Sequence, residues 1–524
     1  ATEVPAFGGN PEQVRRGGVA ELAITVELCG STRHDSGAKQ RSRSPRYAAR
    51  DVRRMDTLIM KFGGSSVGTT TGLTQVLSII LQEQERWKRL LLVVSALEGV
   101  TDALIEAAHL AELGNRRGYR RIVTTLRTRH LALIEYLPLG ATERAALQAD
   151  IDRLLFDMLD TCQSLADRRA RDDSPPDDID AIVGVGERLA ARIVAALLRQ
   201  NMLRGVAIDA TDLIVTDNVY GNATVNLALT RERIKRHMMP MLDRNIIPVM
   251  TGFIGATAAG KPTTLGRGGS DYTASVLGAS TDADEVWIWT DVDGMMSADP
   301  REVPDARVIP ALSYDEVAEL SYFGARILHP RMIGPLHDER IPLLVRNVFK
   351  PQQPGTRIDA EGSKSSQVLK AVTSISGLAF TSAQNGPLAP IANLVDRTLF
   401  AATGSHTDVM ISSQSSRHSF VCFVIPTTAG PDALHTLRQA LEMQMPSDDA
   451  ISSWSARPVS VVTIIGAKVD EFHDLTASLF KAMRAVRILA VAQGPSHCSL
   501  SFVTEPQDAE KALLEIHRLI AGNP

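Results

Sequence analysis

From residue 57 to 350 the chain alternates short, nearly unbroken apolar runs with longer stretches of helical period. The runs are TLIMKF, RLLLVVSA, DAIVGVG, IIPVMTGFIG, DEVWIWTDVDG and IPLLVRNV. A strand that is apolar at successive positions has no solvated face, so it belongs in a parallel sheet covered by helices on both sides. Every one of these runs is predicted as a strand, DAIVGVG included, and the whole segment as an α/β domain. One intervening helix is fixed by its period: Ile151, Leu154, Leu155, Met158, Leu159, Cys162 and Leu165 fall on a single stripe, which places Cys162 in the core. The acidic loop DDSPPDDID that follows reads as a solvated turn, although its carboxylates mimic a metal site.

On either side of this segment the pattern changes. Residues 1–54 contain RHDSGAKQRSRSPRYAARDVRR, rich in Arg and Ser and without period, and read as a disordered extension. Glu3, Glu12, Glu21 and Glu27 argue against a transit peptide, and a natural start near Met55 is expected. Residues 351–368, where Pro, Gly, Ser and charge replace the apolar pattern, read as a linker. Beyond it the chain repeats itself. SQSSRHSFVCFVIP from Ser413 and AQGPSHCSLSFVTE from Ala492 agree at Gln414/Gln493, His418/His497, Phe423/Phe502 and Val424/Val503. Each copy is predicted to run strand, helix, strand, strand, helix, giving two small α+β modules over 369–443 and 456–522.

Composition narrows the chemistry. With 524 residues, 44% hydrophobic and 22% charged, the chain supports several domains with real cores. A net charge of -4, from 56 basic and 60 acidic residues, exerts no overall pull towards nucleic acid or membrane, so any anion site must be local. Cys29, Cys162, Cys422 and Cys498 lie far apart without metal-ligand spacing, as reduced thiols in a cytoplasmic protein do; neither disulfide nor zinc is expected. No apolar run reaches the roughly 18 residues of a membrane helix.

A local anion site is what KFGGSSVG supplies. Lys61 ends an apolar strand, Gly63 and Gly64 allow close backbone approach, and Ser65, Ser66 and Thr69 add hydroxyls. Convergent backbone N–H groups, a helix N-terminus and a lysine point charge together stabilise a phosphate. A Gly-rich turn that merely reverses the chain is the competing reading. A second such loop, TTLGRGGSDYTA, places glycines around Arg267 and then Ser270 and Asp271 at the start of a helical pattern. Two cationic glycine loops at separate strand ends favour a shared anion site. GxxxxGK[ST] does not occur, and no GxGxxG opens the first strand-to-helix turn, which leaves phosphoryl transfer on another α/β scaffold.

In chain order, KFGGSSV, VVSALEGVTD, GVGERLAARIV, GFIG, TTLGRGGSDYTA, WTDVDGMMSADPR and FGARILHP resemble the aspartate kinases of the amino-acid-kinase family over residues 57 to 360. The repeats resemble the paired ACT domains with which such enzymes sense lysine or threonine. The resemblance implies a three-layer, carbamate-kinase-like domain with a mostly parallel sheet, two ferredoxin-like ACT domains, and a homodimer or higher homo-oligomer built through them. It further implies ATP and aspartate as substrates with Mg²⁺, and transfer of a phosphoryl group to the substrate β-carboxylate. That group has a reference pKa near ~3.9, so it is ionised at neutral pH and needs no general base.

Carried over to matching positions, the resemblance gives Lys61 the transferring phosphoryl group and Ser95, Thr101, Glu187, Arg267 and Ser270 the amino-acid substrate. A guanidinium can clamp a carboxylate, and Glu187 can take an ammonium. Asp271 either orients Lys61 or, with Ser270, caps its helix. Gly63, Gly64 and Ser65, with Thr290, Asp291, Met296, Arg301, Arg326 and Ile327, would surround the nucleotide. Met296 stands where many relatives carry Tyr, and Arg326 replaces a lysine. No protein ligand for the metal is assigned, since Mg²⁺ can be held by phosphates and water. His329 reads as a capping or filling residue, and Trp287 and Trp289 as strand packing. In the repeats, QNGPLAPIANLV and GAKVDEFHDLTASLF depart from the Gly- and Pro-bearing effector turn; Asn393, Asp396 and Ser413 are the effector candidates. The rival readings are a related amino-acid or carbamate kinase and a catalytically silent ACT-based sensor.

Overall fold

The computed structural model describes residues 56–169, 177–324, 328–362, 368–382, 388–403, 407, 409–414, 421–427, 430–444, 454–467, 469, 473–494 and 496–522. The segment 1–54, read as an extension, lies outside them. The strands before the repeats are β1 (Thr57–Phe62), β2 (Arg89–Val94), β3 (Gly205–Ile208), β4 (Val215–Thr216), β5 (Ile247–Thr251), β6 (Ile254–Thr257), β7 (Pro262–Thr264), β8 (Glu285–Thr290), β9 (Ala311–Ser313), β10 (Leu343–Asn347) and β11 (Thr356–Asp359). An eight-stranded sheet runs β3-β5-β2-β1-β8-β10-β11-β9. Its pairs are parallel except β10 with β11. β4, β6 and β7 make a small second sheet.

β1 shows why this is a covered sheet. Leu58, Met60 and Phe62 enter one core with the helices Thr70–Glu83, Val100–Glu112 and Val185–Gln200, while Ile59 enters another with the helix Gly269–Thr281. Helices on both faces give three layers. Parallel strands also bring their carboxyl ends to one edge, so Lys61, Ser95, Thr251, Thr290 and Asn347 lie at or beside the same rim. Cys162 is buried on its predicted stripe, with Ile151, Leu155 and Met158.

Three sequence expectations need correction. DAIVGVG is not a strand: Asp177–Val183 and Val185–Gln200 are consecutive helices that meet at Gly184. A short apolar run carries no period that separates a buried helix from a buried strand. Tertiary bonds decide it, because Asp180 accepts hydrogen bonds from the Thr264 N–H (2.8 Å), the Thr264 hydroxyl (3.0 Å) and the Gly221 N–H (2.9 Å). Asp180 is thus a buried anchor and not part of a solvated turn. Nor is 351–368 all linker, since Thr356–Asp359 is β11, paired to both β10 and β9.

The repeats follow the predicted order twice. The first contributes β12 (Leu369–Ser382), helix Leu388–Thr403, β13 (Ile411–Gln414), β14 (Val421–Pro426) and helix Pro431–Gln444. The second contributes β15 (Ser455–Gly466), helix His473–Ala482, β16 (Ile488–Gln493), β17 (Ser499–Thr504) and helix Ala509–Gly522. Their first strands pair along most of their length, fusing both copies into one six-stranded antiparallel sheet, β13-β14-β12-β15-β17-β16. The repeat helices cover one face of this sheet. Phe323, from the end of helix Tyr314–Tyr322, packs on the other with Ala379, Val424 and Val461. Among the described residues no helix is long and apolar enough to cross a membrane.

Candidate active site

Lys61 points to the side of the sheet opposite Met60 and Phe62, between Val93 of β2 and Ile288 of β8 in register. An ammonium among apolar strands needs a counter-charge. It has one: Lys61 Nζ lies 2.6 Å from Asp271 Oδ1. Asp271 belongs to the first turn of Gly269–Thr281, a helix buried at every position. The residue that caps that helix is Gly268, which has no side chain to do so, hence Asp271 serves Lys61 and is not an N-cap. Immediately after β1 the Gly63 N–H donates to the Trp289 carbonyl (3.2 Å), which closes the first glycine turn onto the end of β8. Gly64 has a packing reason: a Cβ there would stand 2.8 Å from the Ala96 carbonyl oxygen.

The loop holding Ser95 and Ala96 carries the next contact. The Ala96 N–H donates to Glu187 Oε1 (3.1 Å), while Glu187 Oε2 has no hydrogen-bond partner although the residue is 2% exposed. Burial pushes the Glu187 carboxyl up to about 8, against the opposing pull of the Ala96 N–H, Arg188 and Lys61. A buried, half-satisfied carboxyl has room for a further hydrogen-bond donor or cationic partner. Ser95 and Thr101, the latter in the first turn of Val100–Glu112, are half-buried on the same loop and helix.

The second glycine turn leads into Gly269. Gly266 and Gly268 have φ of +73° and +69°, a region that suits glycine, and Arg267 between them is exposed and forms no ion pair with a described residue. Ser270 lies against Gly252 after β5, where a Cβ would come within 2.7 Å of its hydroxyl. His329 fills the space beside Gly268 and its Nδ1 accepts the Arg331 N–H (3.3 Å), so it both fills and caps as expected.

On the β8 side, Thr290 donates its hydroxyl to Asp291 (3.1 Å), and Asp291 is exposed. Met296 is half-buried in a bridge with Val308. The Arg301 guanidinium is turned onto Asp299, with Nη2 at 2.6 Å. Arg326 and Ile327 lie outside the described residues. Sequence reasoning missed Asn347, whose amide donates to the Asp291 carbonyl (3.1 Å) and to Asp293 Oδ1 (2.6 Å), and Lys350, whose ammonium reaches Asp293 Oδ2 (2.8 Å). The available signal was an asparagine ending the buried run LLVRN. Lys350 and Asn347 hold the Asp293 carboxyl below its usual range.

A family model described as "Amino acid kinase family" matches residues 56–347. The chain belongs to the amino acid kinase family. Within this amino acid kinase an ACT domain is also matched, over residues 462–519. The chain is 30% identical over 471 residues to the bifunctional aspartokinase/homoserine dehydrogenase 1, chloroplastic, of Arabidopsis thaliana, covering 88% of this chain and 50% of that protein. It therefore spans about half the length of such curated relatives. Among solved structures it is similar to E. coli aspartokinase III in complex with aspartate and ADP (R-state), with a TM-score of 0.72 at 25% identity over 88% of this chain and 99% of that one. The T-state of the same protein, in complex with lysine and aspartate, matches equally, with a TM-score of 0.72 at 25% identity over the same 88% and 99%.

The remaining expected residues lie in the first repeat of this family member. Asn393 is exposed on Leu388–Thr403, Asp396 accepts the Thr407 N–H (3.1 Å), and Ser413 is exposed on β13. Of the turns singled out there, residues 383–387 lie outside the described set. Among the described residues no group of three or more His, Cys, Asp or Glu side chains is arranged to hold a metal ion.

Proposed function

We propose that this amino acid kinase is an aspartate kinase, converting ATP and L-aspartate to ADP and 4-phospho-L-aspartate, the first step of lysine, threonine and methionine biosynthesis. One observation carries the reading: the Lys61–Asp271 pair sits at the rim where two glycine turns end, and Glu187, held by the Ala96 N–H of the loop after β2, keeps one buried oxygen without a hydrogen-bond partner. Lys61, oriented by Asp271, offsets charge on the γ-phosphoryl group. Glu187 receives the substrate α-ammonium and Arg267 a carboxylate, with Ser95, Thr101 and Ser270 as hydroxyl donors.

An oxygen of the ionised β-carboxylate forms the new bond to phosphorus, and the bond from phosphorus to the β,γ-bridging oxygen breaks, its electron pair leaving with ADP. No proton is transferred, so catalysis consists of alignment and charge stabilisation. Gly63, Gly64 and Ser65 line the phosphate side, and Thr290, Asp291, Met296 and Arg301 the nucleoside side. The last of these must release Asp299 to reach a phosphate. Mg²⁺ would be held mainly by the nucleotide phosphates and water, and no protein ligand is assigned to it.

The reading extends to a homo-oligomer assembled through the ACT sheet, with lysine or threonine as effector and a reducing, cytoplasm-like compartment for the free thiols Cys162, Cys422 and Cys498. A coupled assay of ADP formation tests the activity. Aspartate-dependent turnover is expected; turnover with glutamate and not aspartate would overturn the substrate, and none with either would point to the silent sensor. Adding lysine or threonine to the same assay tests the effector.

A further inference from the structure

Arg331 has no part in the reading above, yet its side chain ties the second glycine turn to its surroundings, beside the backbone bond from the Leu265 N–H to the Phe253 carbonyl (2.8 Å). Its Nη1 donates to the Leu265 carbonyl (2.9 Å) and to Asn222 Oδ1 (2.6 Å), and its Nη2 to the Ala223 carbonyl (2.8 Å). The guanidinium carbon lies 5.0 Å from the centre of the Tyr272 ring, in the first turn of Gly269–Thr281. One planar fork thus joins the loop at Asn222–Ala223, the entry to the glycine turn and the helix that presents Asp271. A lysine cannot make this set of bonds, having neither the plane nor the spread of donors.

The turn itself is tightly moulded. A Cβ on Gly266 would stand 2.6 Å from Asn222 Oδ1, the same oxygen that Arg331 holds. Arg267 is exposed, flanked by two left-handed glycines and without an ion pair to a described residue, so the turn's backbone fixes where its side chain starts. Arg331 likewise forms no ion pair with a described residue; its partners are neutral oxygens and a ring, so its charge adds to the attraction for an anion nearby.

We propose that Arg331 is a positioning residue for the acidic substrate, fixing the Leu265–Gly268 turn so that Arg267 meets a substrate carboxylate. This rests on the assignment of Arg267 given above. The test is steady-state kinetics on the full chain for Arg331→Lys, Asn222→Ala, Arg267→Ala and the double variant Arg331→Lys/Arg267→Ala, with thermal melting of each. Arg331→Lys is expected to raise the KM for aspartate about tenfold while the KM for ATP changes by less than about twofold. Asn222→Ala, which removes one acceptor, should move aspartate KM about threefold in the same direction and serves if Arg331→Lys does not fold. The double variant should be no worse than Arg267→Ala, because both changes act through one contact. A folded Arg331→Lys with parental aspartate KM, or a folded Asn222→Ala with parental KM where Arg331→Lys fails to fold, overturns the proposal. So do losses that multiply in the double variant. Parental aspartate KM in Arg267→Ala, alongside a raised KM in Arg331→Lys, overturns it through the assignment of Arg267 and leaves the kinase activity standing.

Discussion

Glu187 keeps one carboxylate oxygen on the Ala96 N–H and buries the other without a partner, so ionisation is disfavoured until a cation arrives. The consequence for stability has a definite sign. Its folded pKa is about 8 against 4.5 for the unsupported group, so between those values the unfolded chain gives up a proton that the folded chain keeps. The stabilisation present below 4.5 is therefore lost as pH rises towards 8. Glu187→Gln is neutral throughout and retains an acceptor for Ala96. Its Tm should match the parent near pH 4.5 and exceed it by a few degrees, about 3 °C or more, at pH 8, while its aspartate KM rises. Parallel Tm profiles across that range would show that Glu187 is not held neutral by burial. Lys61 and Asp271 were legible in the sequence because each is a charged residue beside an apolar or glycine-rich run, whereas Glu187 came only from the family resemblance of GVGERLAARIV. Asn347 and Lys350 were not legible, because what makes them notable is the one carboxylate they share, that of Asp293 in the loop after β8.

At the level of elements, the turn before Gly269–Thr281 and the one after Val100–Glu112 pose the same backbone demand with different surroundings. Gly268 and Gly114 both have φ of +69°, yet a Cβ on Gly268 would stand 2.3 Å from His329 Cβ, whereas Gly114 has nothing within 4 Å. Gly114→Ala should cost about 1 kcal/mol, the conformational cost alone, and Gly268→Ala about 3 kcal/mol or more, since His329 must move as well. Urea midpoints at unchanged m would read the difference, and equal shifts would contradict the moulded turn. Glycine spacing made both turns of the candidate site readable in the sequence. The run DAIVGVG was not, because its helical state depends on Asp180 bonding Thr264 and Gly221, residues far along the chain.

Over the whole molecule, the amino acid kinase domain and the ACT sheet are joined by buried and half-buried polar contacts. Lys370 of β12 pairs with Glu316 of the helix Tyr314–Tyr322 at 2.6 Å, with side chains 5% and 1% exposed. Glu316 also accepts the Ser313 N–H (2.7 Å) in the capping box of its own helix. Ser496 donates to Glu319 (2.7 Å), Thr373 to the Phe323 carbonyl (2.9 Å), and Ser297 and His517 are 2.9 Å apart. Removing one member of a buried pair strands the other charge. Lys370→Met should therefore lose about 3–5 kcal/mol by chemical denaturation, and Lys370→Met/Glu316→Gln should recover most of it. Equal losses in the two variants would mean that packing, and not the stranded charge, sets the cost.

By itself the sequence determined what depends on near neighbours: covered strands from unbroken apolar runs, turns from glycine spacing, the stripe bearing Cys162, and the duplicated strand and helix order of the C-terminal repeats. Tertiary structure decided what depends on desolvation and distant partners. It paired Lys61 with Asp271, left half of Glu187 unsatisfied, turned DAIVGVG into helices, drew β11 into the main sheet and fused both repeats into one sheet. Backbone preference acts over a few residues, whereas burial and the meeting of strand ends exist only once the chain has closed on itself.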